Sequence, residues 1–263
     1  MKLRLLLLLG ILGLTACASP QNGTLELLAN GEDFARQPFT SKDGWTIDFE
    51  HVYLTLTAVT AYQTNPPFDA ASGQMPTGTP LPHPDSPTVD LANPTRDDGT
   101  LLVGTIDAPT GHYNAISWEM APLNNNPTIH LLGTATKDDQ TIRFDIQVDQ
   151  TYQYACGEYV GDSRKGFVDP DTTDNLEMTF HFDHVFGDAD SDLSEPLNTG
   201  ALGFDPLATL ATDNELIATL TDLEANLTAD QYATLLDTLA TLGHVGEGHC
   251  YEFTNGYTAH ETE

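Results

Sequence analysis

Residues 141–148, Thr-Ile-Arg-Phe-Asp-Ile-Gln-Val, decide the fold because apolar and polar side chains alternate there without a break. Successive side chains of a β-strand point to opposite faces, so the alternation predicts a strand with Ile142 and Phe144 facing a core. The polar turn at 137–140 joins this strand to an earlier apolar run, and the same parity continues to Cys156. The stretch therefore predicts a half-buried strand in an antiparallel sheet.

A second alternating stretch lies at residues 45–56 and changes phase near its middle. Odd positions are apolar up to Phe49, whereas even positions are apolar from Val52 onward. A change of phase without a turn residue predicts a β-bulge at Glu50–His51. Further short strands are expected at Leu101–Ile106, Tyr113–Met120, Ile129–Ala135 and Met178–Phe182. This spacing predicts a mainly β protein with an antiparallel β-sandwich or barrel-like domain.

The last third of the chain changes from a strand period to a helical period. Residues 212–215 and 228–231 each match a capping box, and Gly243 fits the position just after a helix. We therefore expect a C-terminal helical hairpin across 205–242, docked on the β domain. A final strand is expected after it.

The charge of the chain limits its partners. Its formal net charge is −30, which repels nucleic acid and anionic lipid head groups, so we expect neither as a partner. The charge favours cations. An acid excess also keeps an exported protein soluble, so the bulk charge does not by itself identify a metal site.

The N-terminus has the layout of a secretory signal peptide, with Lys2 and Arg4 followed by an apolar run at 5–14 that is too short to span a membrane. Leu14-Thr15-Ala16-Cys17 follows this run and resembles the lipobox of bacterial lipoproteins. The resemblance implies cleavage before Cys17, lipidation of Cys17 and attachment of the exported protein to a membrane. The usual inner-membrane retention signal of such lipoproteins is an Asp directly after the lipidated cysteine, and this chain has Ala18 at that position. For a bacterium with two membranes, the resemblance therefore implies the outer membrane, facing the periplasm or the cell surface.

Together these patterns predict a division of the chain into four parts. They are a signal peptide (1–16), a lipidated cysteine with a tether or first strand (17–40), an antiparallel β domain with a Pro-rich loop at 64–99 (41–200), and the helical hairpin with a final strand packed on that domain (201–263).

Two cysteines remain after Cys17 is assigned to the lipid anchor. An exported chain meets an oxidising compartment, so Cys156 and Cys250 are expected to form a disulfide. The alternative is a pair of thiolate metal ligands, although neither residue belongs to a Cys-x-x-Cys pair.

The segment from His181 through His184 to Asp188 offers imidazole and carboxylate ligands suited to zinc, copper or iron. In a regular strand, residues three positions apart point to opposite faces, so His181 and His184 could bind one ion only if the strand ends near Asp183. The alternative is that these histidines face solvent or the core at the end of a strand.

The Gly-rich stretch 243–250 carries His244, Glu247 and His249 beside Cys250. Glycines let the backbone approach a ligand closely, but the same stretch also fits a tight turn with surface histidines. Both this stretch and the one around His181 flank the expected hairpin. If its ends are close, His181, His184, Asp188, His244 and His249 converge on one metal site, and Glu247, Glu50 and His51 are additional candidate ligands.

The alternating aspartates Asp188, Asp190 and Asp192 resemble the start of a calcium-binding loop. The EF-hand pattern then requires Gly and Glu where this chain has Leu193 and Thr199, so the EF-hand match fails. A weak, open calcium site and a solvated acidic loop remain as alternatives.

No nucleophile elbow, His-Glu-x-x-His motif, P-loop or dinucleotide-binding glycine pattern occurs in the sequence. We therefore expect a membrane-anchored envelope lipoprotein that binds zinc, copper or iron through histidines and acidic residues and is not an enzyme. The alternatives are a structural or interaction lipoprotein with no metal, acting through a protein partner of the envelope, and an envelope hydrolase.

Overall fold

The computed structural model of the chain describes residues 21–253 and 257–258. Strands dominate, and most of them belong to one large mixed sheet that curls into a half-barrel. The expectation of a mainly β protein with a barrel-like domain is therefore confirmed. Residues 1–20, which carry the predicted signal peptide and Cys17, lie outside the described residues. Within the described part, no helix is both long and apolar enough to cross a membrane.

The strands in chain order are β1 (Asn22–Asn30), β2 (Phe39–Thr40), β3 (Thr46–Gln63), β4 (Thr79–Pro82), β5 (Thr88–Asp90), β6 (Leu101–Pro109), β7 (Gly111–His112), β8 (Ala115–Met120), β9 (Ile129–Lys137), β10 (Gln140–Val148), β11 (Tyr152–Cys156), β12 (Phe167–Val168), β13 (Thr173–Phe180), β14 (Glu215–Thr219), β15 (Gly243–Val245), β16 (Gly248–Glu252) and β17 (Tyr257–Thr258). The helices are α1 (Glu32–Arg36), α2 (Asp183–Phe186), α3 (Pro196–Gly200), α4 (Asp205–Ala208), α5 (Leu220–Asn226) and α6 (Ala229–Ala240), and a 3-10 turn spans Ala70–Ser72.

The large sheet follows the order β14-β10-β9-β3-β8-β11-β16-β15-β13-β1-β6, and β2, β4, β5 and β17 pair beside this path. Most neighbours are antiparallel, as the sequence predicts, but β1 pairs with β13 and β10 pairs with β14 in parallel. Both parallel pairs join strands that are far apart in the chain. Parallel pairing needs such a long crossover, and local alternation of side chains does not reveal it.

The stretch that decides the fold forms β10, and its inward side chains are buried while its outward ones are exposed or half-buried. β10 pairs with β9 from Gln140 opposite Lys137 onward, which confirms the turn at 137–140. The predicted bulge is also present, because the register of β3 against β9 shifts between Phe49 and His51. β3 pairs with β9 along its first half and with β8 along its second half, so one long strand joins two parts of the curled sheet.

An aromatic group fills the core beside the bulge. Phe49 lies edge-to-face against Phe144, Phe182 and Phe186, with ring centroids 5.8 to 6.0 Å apart. Burying a large apolar side chain contributes about 1.5–3 kcal/mol, and edge-to-face contacts add to it. Because Phe182 and Phe186 flank the α2 turn, these contacts fix the chain segment that follows β13.

The helical hairpin is confirmed for α5 and α6 but not for the first half of residues 205–242. The capping box at 228–231 is present, since Thr228 Oγ1 accepts a hydrogen bond from Gln231 N and the Gln231 side chain accepts one from Thr228 N. The capping box at 212–215 is wrong. Residues 212–215 form a tight turn into β14, with Asp213 and Asn214 at positive φ.

The structure differs from the predicted hairpin at β14 and at Gly243. Leu216 and Ala218 alternate with exposed residues and are buried, so β14 is a short strand that a helical reading of the segment overlooks. Gly243 was expected to end a helix, but α6 ends at Ala240 with Thr241 as its cap. Gly243 instead begins β15, and glycine is needed there because a Cβ would lie 2.7 Å from the ring of Tyr154.

The predicted disulfide is confirmed. Cys156 on β11 and Cys250 on β16 occupy directly opposite positions of an antiparallel pair and are joined, with their Cα atoms 4.4 Å apart. Both residues are buried, and the bond closes a loop with a sequence separation of 94. It therefore links the middle of the sheet to the C-terminal hairpin.

We expect the double variant Cys156→Ala/Cys250→Ala to lose about 4–5 kcal/mol of unfolding free energy, because the unfolded chain regains the freedom that a long closed loop removes. Urea unfolding of both proteins under non-reducing conditions measures the difference. A loss below about 1 kcal/mol would show that the loop contributes little to stability.

Candidate metal centre

Three segments meet at the C-terminal end of β13. β15 pairs antiparallel with β13, placing His244 opposite Thr179. β15 and β16 then form a hairpin in which His244 lies opposite His249. The α2 turn starts just beyond β13 and carries Asp183 and His184. Residues that are far apart in the sequence therefore come together at one end of the sheet.

The chain changes direction directly after Phe180, where β13 ends. Phe182 and Phe186 are drawn into the aromatic core, and the residues between them form the α2 turn. Residues three apart share a face of a helical turn, whereas they would face opposite ways in a strand. His181 and His184 consequently lie side by side, with ring centroids 5.5 Å apart.

The β15–β16 hairpin depends on Gly246, which adopts φ +61. A Cβ at this position would lie 2.0 Å from the carbonyl oxygen of Val160, so no other residue fits without moving the backbone. Gly246 N also donates a hydrogen bond of 2.9 Å to Thr179 Oγ1. The glycine thus holds the hairpin against β13 and keeps His244 next to the α2 turn.

Four imidazole rings form a continuous group, which we call the His cluster: His181, His184, His244 and His249. The ring of His244 lies at its centre, with centroid distances of 4.3 Å to His181, 5.2 Å to His184 and 4.8 Å to His249. His181 and His244 are only 8% and 3% exposed, whereas His249 is on the surface. The cluster therefore extends from solvent into the interior.

Two carboxylates join the cluster. Asp183 is buried, and its potential ligand oxygen lies within 4.8 Å of a ring nitrogen of His181 and one of His184, which are also that close to each other. His244 lies outside this set of three but contacts His181 through its ring. A carboxylate oxygen of Glu32 lies 3.6 Å from His181 Nδ1, on the same side as Asp183 at 4.0 Å.

The main chain fixes the tautomers of two of these rings. The carbonyl oxygen of Thr241 lies 3.1 Å from His184 Nδ1 and 3.2 Å from His244 Nε2. A carbonyl only accepts hydrogen bonds, so both of these ring nitrogens must carry hydrogen. The lone pairs of the neutral rings are then on His184 Nε2 and His244 Nδ1. This orienting contact is typical of the second shell of protein metal sites.

Three polar atoms of the cluster are buried without a hydrogen-bond partner: His181 Nε2, His244 Nδ1 and Asp183 Oδ1. Leaving such an atom unpaired costs about 1–3 kcal/mol, so three in one place call for an explanation. Each of them is an atom type that coordinates metal ions. Zinc bonds to imidazole nitrogen at about 2.0–2.1 Å, so the side chains would have to draw together around an ion.

Burial sets the protonation of the cluster. Burial lowers the pKa of His184 to about 4 and that of His244 to about 2, and neighbouring imidazoles lower both further. Burial also raises the pKa of Asp183 to about 6. At neutral pH the two histidines are therefore neutral, which is the form that binds metal.

The other predicted ligands lie elsewhere. The Asp188 carboxylate accepts hydrogen bonds from Asp190 N and Ser191 Oγ within its own loop and is not part of the His cluster. Glu247 is exposed at the tip of the β15–β16 hairpin. Glu50 pairs with Arg143 on the surface of the sheet at 3.5 Å. His51 Nδ1 contacts an Asp90 oxygen at 2.7 Å.

The aspartates considered for calcium stabilise turns. Asp192 accepts hydrogen bonds from the backbone N and Oγ of Ser194, as Asp188 does from Asp190 N and Ser191 Oγ. The amide nitrogen of buried Asn198 lies 2.8 to 3.2 Å from the carbonyl oxygens of Asp188, Ser191 and Asp192. Within the described residues, these aspartates form no group of three close ligands.

Sequence reasoning overlooked three residues of the centre. Asp183 lies between the two histidines of the His-x-x-His pair, and its position there was the available signal. Thr241 contributes a backbone oxygen, which side-chain patterns do not report. Glu32 comes from α1, far away in the chain, and reaches His181 only through the pairing of β1 with β13.

We expect acid to destabilise the metal-free protein through His244. The folded state disfavours protonation of this ring, so its contribution to stability is present above the unfolded pKa near 6.5 and is lost as the pH falls below it. Wild type should lose about 2 kcal/mol more than the variant His244→Asn between about pH 7.5 and about pH 5.

Urea unfolding at the two pH values gives this difference directly. Taking the difference between the two proteins cancels the contribution of the many carboxylates that they share. The elevated pKa of Asp183 acts with the opposite sign, since its neutral form is favoured below about pH 6. Equal losses in the two proteins would mean that His244 already takes up a proton in the folded state.

No protein-family model, curated protein or solved structure matches the chain. The functional argument therefore rests on the chemistry of the His cluster. Imidazoles with fixed tautomers and a buried carboxylate lie next to one another at the end of β13. Such donors coordinate transition-metal ions.

Proposed function

We propose that this protein binds a transition-metal ion at the His cluster, without catalysis, as a lipid-anchored protein of the bacterial envelope. The observation that carries the proposal is the group of three unpartnered, buried donor atoms on His181, Asp183 and His244. Each is a metal-ligand atom, and each has a neighbour that could share the same ion. An interior that retained them without a ligand would lose stability at all three positions.

The donor set favours zinc, copper or iron. Imidazole nitrogen is a ligand for these ions, whereas calcium and magnesium prefer shells made of oxygen alone. Cys156 and Cys250 are joined as a disulfide and so do not supply thiolates. The binding group is therefore imidazole nitrogen from His181, His184 and His244 together with carboxylate oxygen from Asp183.

The arrangement suits an ion that is held and later released. His181 and His244 are buried, and the aromatic core lies directly behind the α2 turn. A hydrolytic site needs an open coordination position that faces a substrate. The Thr241 carbonyl orients the rings of His184 and His244 and supports them as ligands, and a Glu32 oxygen lies 3.6 Å from His181.

The proposed location rests on sequence features. The signal-like segment 1–16 and the lipobox ending at Cys17 support export and lipidation. A buried disulfide fits an oxidising compartment, where such bonds form and persist. The charge of −30 would raise the local concentration of cations around the tethered domain.

We expect the soluble domain from residue 21 onward to bind about one equivalent of zinc or copper(II). Binding to the native state alone should raise the unfolding free energy by about 2.7 kcal/mol at a hundredfold excess over the dissociation constant. The double variant His184→Gln/His244→Asn should lose this increase. Calorimetric titration and thermal unfolding with and without metal measure both effects.

The variant His130→Gln is the matched control. His130 is also a partly buried histidine with a carboxylate partner, 2.8 Å from Asp145, but it lies on β9, four strand positions from β16. It should keep the metal-dependent stabilisation of wild type. Stabilisation that survives in the double variant, or its absence from wild type, would contradict the proposal.

Lipidation is tested separately on the full chain. In a bacterial host, the variant Cys17→Ser should accumulate as an uncleaved precursor without lipid, because the thiol that accepts the lipid is missing. Mass spectrometry of the membrane-extracted protein distinguishes the two forms. A wild-type N-terminus that carries no acyl mass would overturn the proposed anchor and leave metal binding to be judged on its own data.

A further inference from the structure

We propose that the His cluster provides two successive positions for the ion: an outer position at His249 and His244, where it is captured, and an inner position at His181, Asp183 and His184, where it is held. His244 belongs to both. This inference rests on the proposed metal binding and adds a route by which the ion reaches the buried ligands.

Exposure differs among the members of the cluster. His249 is exposed, His184 is half-buried, and His181, Asp183 and His244 are buried. Among them, His249 is the side chain most accessible to an ion arriving from solvent. The ligand atoms gathered most closely lie on His181, Asp183 and His184, and the rings of both histidines contact His244.

The contacts form a chain rather than a single shell. His249 contacts His244 at 4.8 Å, and His244 contacts His181 at 4.3 Å, between ring centroids. Within the described residues, the ring of His249 makes no contact with the ring of His181 or His184. The ring contacts therefore connect His249 to the inner donors through His244.

His244 has the atoms that such a transfer needs. Its Nε2 donates to the Thr241 carbonyl, and its Nδ1 is buried without a partner. The strand position of His244 opposite His249 fixes its backbone, and the Thr241 carbonyl orients its ring. The remaining nitrogen, Nδ1, is therefore the atom of His244 that is available to an ion at either position.

One acidic residue lies close in the chain to the outer histidine. Glu247 is exposed on the turn two residues before His249. Its carboxylate attracts cations toward that end of the cluster.

The two positions predict a specific kinetic signature. A residue that only conducts the ion lowers the barrier in both directions and leaves the dissociation constant unchanged, because that constant is the ratio of the two rates. The variant His249→Gln should therefore slow metal loading and metal release by a similar factor, about tenfold each. His184→Gln should instead weaken binding, mainly through faster release.

Stopped-flow mixing of the wild-type domain with zinc measures loading, and transfer of zinc to an excess of a chromogenic chelator measures release. Equilibrium competition with the same chelator gives the dissociation constant. His249 is exposed, so the His249→Gln variant is expected to fold normally, and the intact Cys156–Cys250 disulfide is confirmed by mass. The matched control is His130→Gln, which should match wild type in all three measurements.

Parallel slowing of both rates with an unchanged dissociation constant supports the two positions. An increase of about tenfold or more in the dissociation constant of His249→Gln would make His249 a holding ligand and overturn the route. Unchanged rates would overturn it as well. If wild type binds no zinc, the proposed function itself fails. If zinc binds but is exchanged at the same rates in wild type and His249→Gln, only the route fails.

Discussion

The packing of Phe182 and Phe186 against Phe49 is the interaction on which the rest of the centre depends. It ends β13 at Phe180 and forces the following residues into the α2 turn. Without that turn, the two histidines of the His-x-x-His pair would face opposite sides of a strand. The bulge in β3 lies next to Phe49, so an irregularity in one strand contributes to the geometry of candidate ligands carried by another.

Large parts of the fold could be predicted from the sequence because they depend on local periodicity. The alternation in β10, the bulge after Phe49 and the capping box at Thr228 are each encoded within a few neighbouring residues. The parallel pairs and β14 could not be predicted in the same way. Whether residues 215–219 form a strand depends on β10 offering an open edge for pairing, which is a property of the assembled sheet.

The same distinction applies to the candidate centre. The spacing of the histidines can be seen in the sequence. They come together in space if the two ends of the segment between them are close. Asp188 illustrates the limit of this reasoning. Its carboxylate accepts a hydrogen bond within its own loop and does not reach the His cluster. The Thr241 carbonyl and the Glu32 carboxylate carry no local signal, since one is a backbone atom and the other arrives through the β1–β13 pairing.

Glu32 also shows that the backbone is strained at this end of the sheet. It adopts φ +54, a left-handed conformation that costs a non-glycine residue about 1–2 kcal/mol. Two contacts maintain it: Asn30 Oδ1 accepts a hydrogen bond of 2.8 Å from Glu32 N, and Arg36 holds the same oxygen at 2.7 Å. Strain of this kind persists where the surroundings enforce it, and it clusters at functional sites. Here the strained residue carries a carboxylate oxygen that lies 3.6 Å from His181 Nδ1, while Nε2 of the same ring is buried without a hydrogen-bond partner.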